Sequence, residues 1–275
     1  MEVRPLKRYA SLVSLVVVLL TPAACDDGGA GGGDRPAGEV LAAAASATQE
    51  AGTARIASDQ VAEVQGQRLT TTVEGVTDLN SGDSESTIEL AVPGQPPQAA
   101  QFITAGSVAY IETAAFPGAP TDVEWISIDF AQLGDEIGVN IEAFRQNGAG
   151  QLGYLGEVGD VEEVGTETVR DAETTHYRFT TDLEALADGG PEELRSSYRQ
   201  LIELTGAREI PTEVWIDEDD RVRRISTDLE IEQQGRQLSQ RSTIEYYEFG
   251  VEVDAQAPPA EDTVSITELG AGRAP

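Results

Sequence analysis

The sequence contains few of the residues that metal sites, disulfides and nucleic-acid interfaces require. One cysteine and one histidine occur in 275 residues, so an intramolecular disulfide is impossible, and a zinc site with about four Cys or His ligands is not expected. Lys and Arg total 18 against 49 Asp and Glu, which gives a formal net charge of −31. Because the sequence has no basic cluster to displace counterions from phosphates, we expect no nucleic-acid partner.

Aromatic side chains are also scarce, at 5% of the residues. Hydrophobic residues nevertheless make up 40% of the chain and charged residues 24%, which are ordinary values for a globular protein. The chain therefore has enough apolar side chains to bury a core, but few large ones to fill a wide concavity.

The first 24 residues have the pattern of a secretory signal peptide. A basic start is followed by an apolar run from Leu12 to Leu20 and then by small residues before Cys25. This run is shorter than the ~20 residues that span a bilayer. We therefore expect residues 1–24 to be a cleaved signal peptide and the rest of the chain to be exported.

The residues that precede Cys25 resemble a bacterial lipobox, although Pro22 stands where such motifs usually carry Leu. In such motifs the cysteine thiol receives a diacylglyceryl group, and palmitate is a typical acyl chain. Because an acidic protein is repelled by an anionic membrane surface, a covalent anchor of two or more chains is the physical means of holding it there. We expect a lipoprotein on the extracytoplasmic face of the cell membrane; the alternative is a secreted protein cleaved near Ala24.

The rest of the chain divides into a linker, a body and an end. Residues 25–38 are rich in glycine and are expected to form a flexible tether with a reach of about 20 Å. Residues 39–262 are expected to form one domain, since this length is near the upper limit for a single hydrophobic core. Residues 263–275 are expected to be a C-terminal tail.

The body predicts an α+β fold built on one large antiparallel sheet. An alanine-rich helix is expected over residues 39–51, a less regular helical cover over 130–157, and an amphipathic helix after Gly190. The last two strand segments are long, about 43 Å for 13 residues, so the sheet must curve around helices or a ligand. Alternating segments bounded by turn residues predict strands at 53–65, 68–79, 84–92, 98–104, 108–113, 123–129, 161–169, 173–183, 212–217, 221–232 and 237–249.

The order of these elements, with several short stretches, resembles the actinobacterial LppX/LprA/LprF/LprG lipoprotein group over residues 37–262. The resemblance implies a half-barrel sheet similar to that of the LolA/LolB lipoprotein carriers, with helices on its concave face. It also implies a domain that binds the acyl chains of a lipid or lipoglycan in a hydrophobic cavity, with an envelope transporter as a candidate partner. The stretches that carry the resemblance are Asp160–Val169, Thr174–Arg178, Pro211–Asp217 and Tyr247–Gly250.

Strand alternation supplies candidate residues for the lining of such a cavity. On each of three predicted strands, apolar residues share one face. The alternative is an ordinary core that the helices fill, leaving an envelope interaction protein without a lipid site. The predicted cavity-lining residues are Ile88, Leu90, Val92, Ile225, Leu229, Ile231, Leu238, Ile244 and Tyr246.

Few residues suggest catalysis or a cofactor. Any histidine-dependent hydrolase must use His176, but no nucleophile motif accompanies it in the sequence, so a structural role is expected. The acidic turn Asp217–Asp220 lacks the glycine and glutamate of a calcium-binding EF-hand loop. We therefore expect no enzyme, no cofactor and no metal, with an envelope hydrolase as the least favoured alternative.

Overall fold

Twelve strands, β1 to β12, form the framework of this protein. The structure, a computed structural model, describes residues 35–64, 67–115, 123–141, 155, 160–190, 192–233 and 236–271. The expected signal peptide, Cys25 and nearly all of the expected tether lie outside these residues. The strands are β1 Thr53–Val64, β2 Gln67–Asp78, β3 Ser84–Ala91, β4 Gln98–Ala105, β5 Val108–Glu112, β6 Trp125–Asp129, β7 Glu162–Val169, β8 Ala172–Asp182, β9 Glu209–Asp217, β10 Val222–Gln233, β11 Arg236–Tyr247 and β12 Thr263–Ser265.

All twelve strands belong to one open, curled sheet in the order β12-β6-β5-β4-β3-β2-β1-β11-β10-β9-β8-β7. Neighbouring strands are antiparallel, apart from β12, which pairs parallel with β6. Most neighbours in space are also neighbours in sequence, whereas β1 pairs with β11 and joins the two halves of the chain. The large antiparallel sheet predicted from the sequence is confirmed.

Helices cover one face of the sheet within the described part of the chain. Two of them start directly at a strand end, where Asp129 and Asp182 cap the first turn by accepting hydrogen bonds from backbone N–H groups. The helices are α1 Ala37–Glu50, α2 Phe130–Ile137, α3 Leu183–Gly189, α4 Glu192–Thr205 and α5 Ile266–Ala271.

The helices pack in three hydrophobic clusters. The first places Leu41 and Ala44 of α1 over the strands around the β1/β11 pair. The second joins α2, α3 and α4 to β5 and β6, with Leu194 and Tyr198 fully buried. The third is smaller and centres on Ile111 of β5. The α+β arrangement with helices on one sheet face therefore agrees with the expected fold class.

The C-terminal residues are part of this fold, contrary to the expectation of a tail from residue 263. Thr263–Ser265 form the edge strand β12, and α5 follows at once. Val264, Ile266 and Leu269 pack against the third cluster. Three apolar residues within six positions give this segment enough buried surface to dock on β6.

A glycine allows two central strands to approach closely. Gly75 of β2 lies opposite Ser86 of β3, and a Cβ on it would lie 2.3 Å from the Glu85 carbonyl oxygen. No side chain fits in that space, so glycine is required here by the close approach of the neighbouring backbone.

Candidate functional site

The register of the long central strands decides which side chains face the helices. Ser58 lies opposite Ile244 and Val73, and Gln60 lies opposite Ser242 and Thr71. Because side chains alternate between the two faces of a strand, the whole set follows from these pairs. We call the face that the helices cover the concave face, and the opposite one the convex face.

A broad part of the concave face on six strands, β1 to β4, β10 and β11, carries no charge. The positions of this neutral part are Ile56, Ser58, Gln60, Ala62, Leu69, Thr71, Val73, Gly75, Ser84, Ser86, Ile88, Leu90, Gln98, Ala100, Phe102, Thr104, Ile225, Thr227, Leu229, Ile231, Leu238, Gln240, Ser242, Ile244 and Tyr246.

A network of charged residues on these strands occupies convex positions. Several of them pair with one another across strands, such as Arg241 Nε with Asp228 Oδ1 at 2.7 Å. A chain with a net charge of −31 therefore keeps one broad surface neutral, and that surface is suited to an uncharged ligand. The convex charges include Arg55, Asp59, Glu63, Arg68, Glu74, Glu85, Glu89, Arg224, Asp228, Glu230, Arg241 and Glu245.

Part of the concave face is filled by the protein's own side chains. Ile225, Ile244 and Tyr246 are buried in the first cluster beneath α1. Ile88 is buried in the third cluster. At these four predicted lining positions the structure shows ordinary core packing.

The other predicted lining residues lie in a more open region. Leu229 is partly buried against the second cluster. Leu90, Val92, Ile231 and Leu238 are partly exposed and belong to none of the three clusters of described residues.

The open region lies toward the hairpin ends of the long strands. Ile231 pairs directly with Leu238, and Leu69, on the same face of β2, is also partly exposed. We call Leu69, Leu90, Val92, Ile231 and Leu238 the open apolar patch. Its apolar side chains are partly exposed and remain accessible to a ligand.

A row of polar side chains crosses the concave face between the cluster beneath α1 and the open apolar patch. Thr212, Thr227, Ser242, Gln60 and Thr71 lie side by side on β9, β10, β11, β1 and β2. We call this row the polar belt. The belt is not evident from the sequence, because the alignment of its members depends on the register of five strands. Each member is an uncharged polar residue at an inward position.

Two buried polar atoms, one in the belt and one in the row next to it, have no hydrogen-bond partner within the described part of the chain. These are Nε2 of Gln60 and Oγ of Ser58, in side chains that are each only 5% exposed. A buried donor or acceptor without a partner costs about 1–3 kcal/mol of folding free energy. Such atoms are therefore candidates for contact with a ligand or a water molecule.

His176 lies on the convex side, away from the open apolar patch. Its ring stacks on Trp215 with centroids 4.2 Å apart. Its nitrogens lie 3.3 Å from a Glu167 oxygen and 3.7 Å from a Glu213 oxygen. Neither contact has the geometry of a hydrogen bond. Trp215 Nε1 also donates to Glu167. The ring is thus held between β7 and β9, which is the arrangement of a structural side chain.

The acidic turn after β9 uses its carboxylates within the fold. Asp217 Oδ1 accepts hydrogen bonds from the backbone N–H groups of Asp219 and Arg221. Asp220 forms an ion pair with Arg35 at 2.8 Å, and this contact raises the pKa of the Arg35 guanidinium. Across the described ranges, no group of three or more His, Cys, Asp or Glu residues is arranged to hold a metal ion.

A small pocket on the helical side is separate from the predicted lining residues. It has a volume of about 370 Å³ and lies between α2 and α4, with Gly134, Asn140 and Ser197 in its wall.

None of the helices in the described ranges has the length and apolarity to cross a membrane.

The fold is similar to that of solved mycobacterial proteins. Lipoprotein LppX of Mycobacterium tuberculosis is 17% identical, with a TM-score of 0.50, over 79% of this chain and 98% of LppX. LprF of Mycobacterium bovis is 16% identical, with a TM-score of 0.47, over 82% of this chain and 97% of LprF. The chain thus has the LppX-like half-barrel fold that the sequence resemblance implied.

A relative in sequence comes from Streptomyces griseus. An uncharacterised 31.2 kDa protein encoded between rplA and rplJ in Streptomyces griseus is 30% identical over 146 residues, which are 51% of this chain and 47% of the relative. The chain therefore spans about half the length of that relative. No family model matches the sequence.

Proposed function

We propose that this protein is a non-enzymatic lipoprotein of the cell envelope whose curled sheet holds the acyl chains of a lipid or lipoglycan. The observation that carries the proposal is the neutral part of the concave face, on which the open apolar patch stays accessible while charges such as Asp228, Glu230 and Arg241 lie on the convex side. The nine predicted lining residues then have two roles. Ile88, Ile225, Ile244 and Tyr246 support the wall, and the others contact the ligand.

Burial of hydrocarbon supplies the binding free energy. Each methylene transferred from water to an apolar surface contributes ~0.8 kcal/mol. A neutral wall costs little to desolvate, whereas a charged wall opposes binding because ions must lose their hydration. The lipid headgroup would remain in solvent at the hairpin ends of the long strands, where the patch opens.

Membrane attachment is the second part of the proposal. Cys25 would carry the lipid anchor, and residues 26–38 would tether the body to the extracytoplasmic face of the membrane. LppX, which has the same fold, is itself named a lipoprotein. An envelope transporter is the natural partner of such a carrier.

A filled interior defines the competing function. The close contact of α1 with the strands around Ile244 favours it for that part of the face. In that case the protein would act through its acidic exterior on other envelope components, and no lipid would enter.

Lipid extraction followed by mass spectrometry tests the carrier function. We expect purified protein to retain acyl lipid and Leu238→Asn to reduce that lipid severalfold, because a polar side chain in the patch removes apolar contact area. Ser239→Asn, on the convex side of the same strand, is the matched control and should leave retention unchanged. Absence of lipid from the unsubstituted protein, in both purified and vesicle-loaded samples, would reject the carrier function.

Metabolic labelling tests the anchor. We expect labelled palmitate to be incorporated into the protein, and Cys25→Ser to abolish the label and release the protein from the membrane fraction, since one acyl chain or none gives only marginal binding. Equal labelling of the Cys25→Ser variant would mean that the protein is not anchored through this residue.

A further inference from the structure

We infer that the polar belt is a binding site for the carbonyl group of a neutral lipid, in which an ester or amide linkage is flanked by hydrocarbon on both sides. This inference rests on the proposed function, because it specifies which lipids the concave face accepts. The donors are Nε2 of Gln60 and Oγ of Ser58. The class of ligand follows from the position of the belt, its neutrality and its unused donors.

The belt is a continuous line of side chains across the sheet. Gln60 stands at its centre, directly between Ser242 on β11 and Thr71 on β2. Five strands spaced about 4.8 Å apart make the line about 19 Å long. Thr71, Thr227 and Ser242 are partly exposed, so the belt borders the accessible part of the concave face.

Apolar side chains lie on either side of the belt. Toward α1 the next row on the same face holds Ile225, Ile244 and Val73, with Ser58 between the last two. Toward the hairpin ends the next row includes Leu69 and Leu229. Residues two apart on a strand are separated by about 6.6 Å. A long-chain lipid lying along the strands therefore meets hydrocarbon, then hydrogen-bonding groups, then hydrocarbon again.

The unused donors define what the ligand must offer. Gln60 Nε2 is a donor only, and within the described residues it has no acceptor. An alkyl chain supplies no acceptor either, whereas an ester or amide carbonyl supplies two lone pairs. A phosphate or carboxylate is a poor match, because the concave positions next to the belt on either side bear no cation that would compensate for its desolvation.

A pair of matched neutral lipids tests the inference. Oleyl oleate and dioleyl ether have the same chain lengths and unsaturation, and differ by a carbonyl group. Purified protein is loaded from vesicles that contain equal amounts of both lipids, and the retained lipids are extracted and quantified by mass spectrometry. We expect the protein to retain about three to ten times more ester than ether, since tenfold corresponds to ~1.4 kcal/mol.

Substitutions assign the preference to the belt. Gln60→Met keeps the size of the side chain and removes its donor, so the ester-to-ether ratio should fall to about one while total lipid is unchanged. Ser58→Ala removes only a hydroxyl group, so the ester-to-ether ratio should fall by less than it does in Gln60→Met. The matched control is Gln101→Met, the same replacement at an exposed convex position of β4, and it should keep the ratio of the unsubstituted protein.

The outcomes separate this inference from the function on which it rests. Retention of neither lipid overturns both. Equal retention of ester and ether by the unsubstituted protein overturns the carbonyl site and leaves the carrier function standing. An ester preference that persists in both Gln60→Met and Ser58→Ala overturns the assignment to these donors. Thermal unfolding of each variant verifies that the comparison is made on folded protein.

Discussion

Ile244 and Glu245 are neighbours in β11, yet they lie in opposite environments. Ile244 is buried beneath α1 among apolar side chains. Glu245 lies on the convex face, where it accepts hydrogen bonds from both Arg170 and Arg224. The two faces of one strand thus separate a neutral wall from a network of charges. An acidic protein keeps a surface suited to apolar ligands by placing its charges on alternate residues.

The largest expected effect is that of a charge on the concave face. Ile244→Lys would bury an unpaired cation, and we expect it to lower the free energy of unfolding by about 3–5 kcal/mol or to prevent folding. Thr243→Lys places the same side chain on the convex face, opposite Asp59, and should change stability by less than about 1 kcal/mol. Urea unfolding measures both. Similar losses for the two variants would show that the faces do not differ as described.

A smaller effect is expected from weakening the convex network. Glu245→Gln keeps the side-chain shape but removes the charge shared by two arginines. We expect a loss of about 1 kcal/mol, reduced at high salt because partly exposed ion pairs are screened. Glu85→Gln, on the exposed convex side of β3, is the control. An effect of Glu245→Gln that does not respond to salt would mean that packing, and not charge, stabilises this face.

The smallest effect is confined to high pH and concerns Tyr177 on the concave face. Burial raises the pKa of its hydroxyl, and the nearby Glu163 raises it further. An unfolded tyrosine ionises near pH 10, so the folded state holds its proton to a higher pH. Stability should therefore be full below about pH 10 and decline above it. Tyr177→Phe should make this decline shallower in urea unfolding at several pH values; an unchanged decline would assign it to other groups.

The strands were largely predictable because alternation is a local property. Residues 237–249 were expected to form a strand, and β11 spans Arg236–Tyr247. The short edge strand β12 was missed, since three residues are too few to show a period. The fold class followed from the same signals, combined with turn residues at short intervals.

The site was harder to predict because it depends on contacts between distant elements. Alternation correctly grouped Ile225 with Ile231 and Ile244 with Leu238. The alternating pattern does not indicate that α1 covers one end of these strands and leaves the other end accessible. The polar belt likewise becomes visible only when five strands are aligned, because its members are scattered from Gln60 to Ser242.

The pairing of β1 with β11 has a consequence for folding. Thr53 Oγ1 donates a hydrogen bond to the carbonyl oxygen of Val251, which is 198 residues further along the chain. Such distant pairing is slow to form, because a large loop must close first. The centre of the sheet therefore assembles only after almost the entire polypeptide has been made. For the exported lipoprotein proposed above, this delay would help to keep the chain unfolded while it passes through a translocation channel.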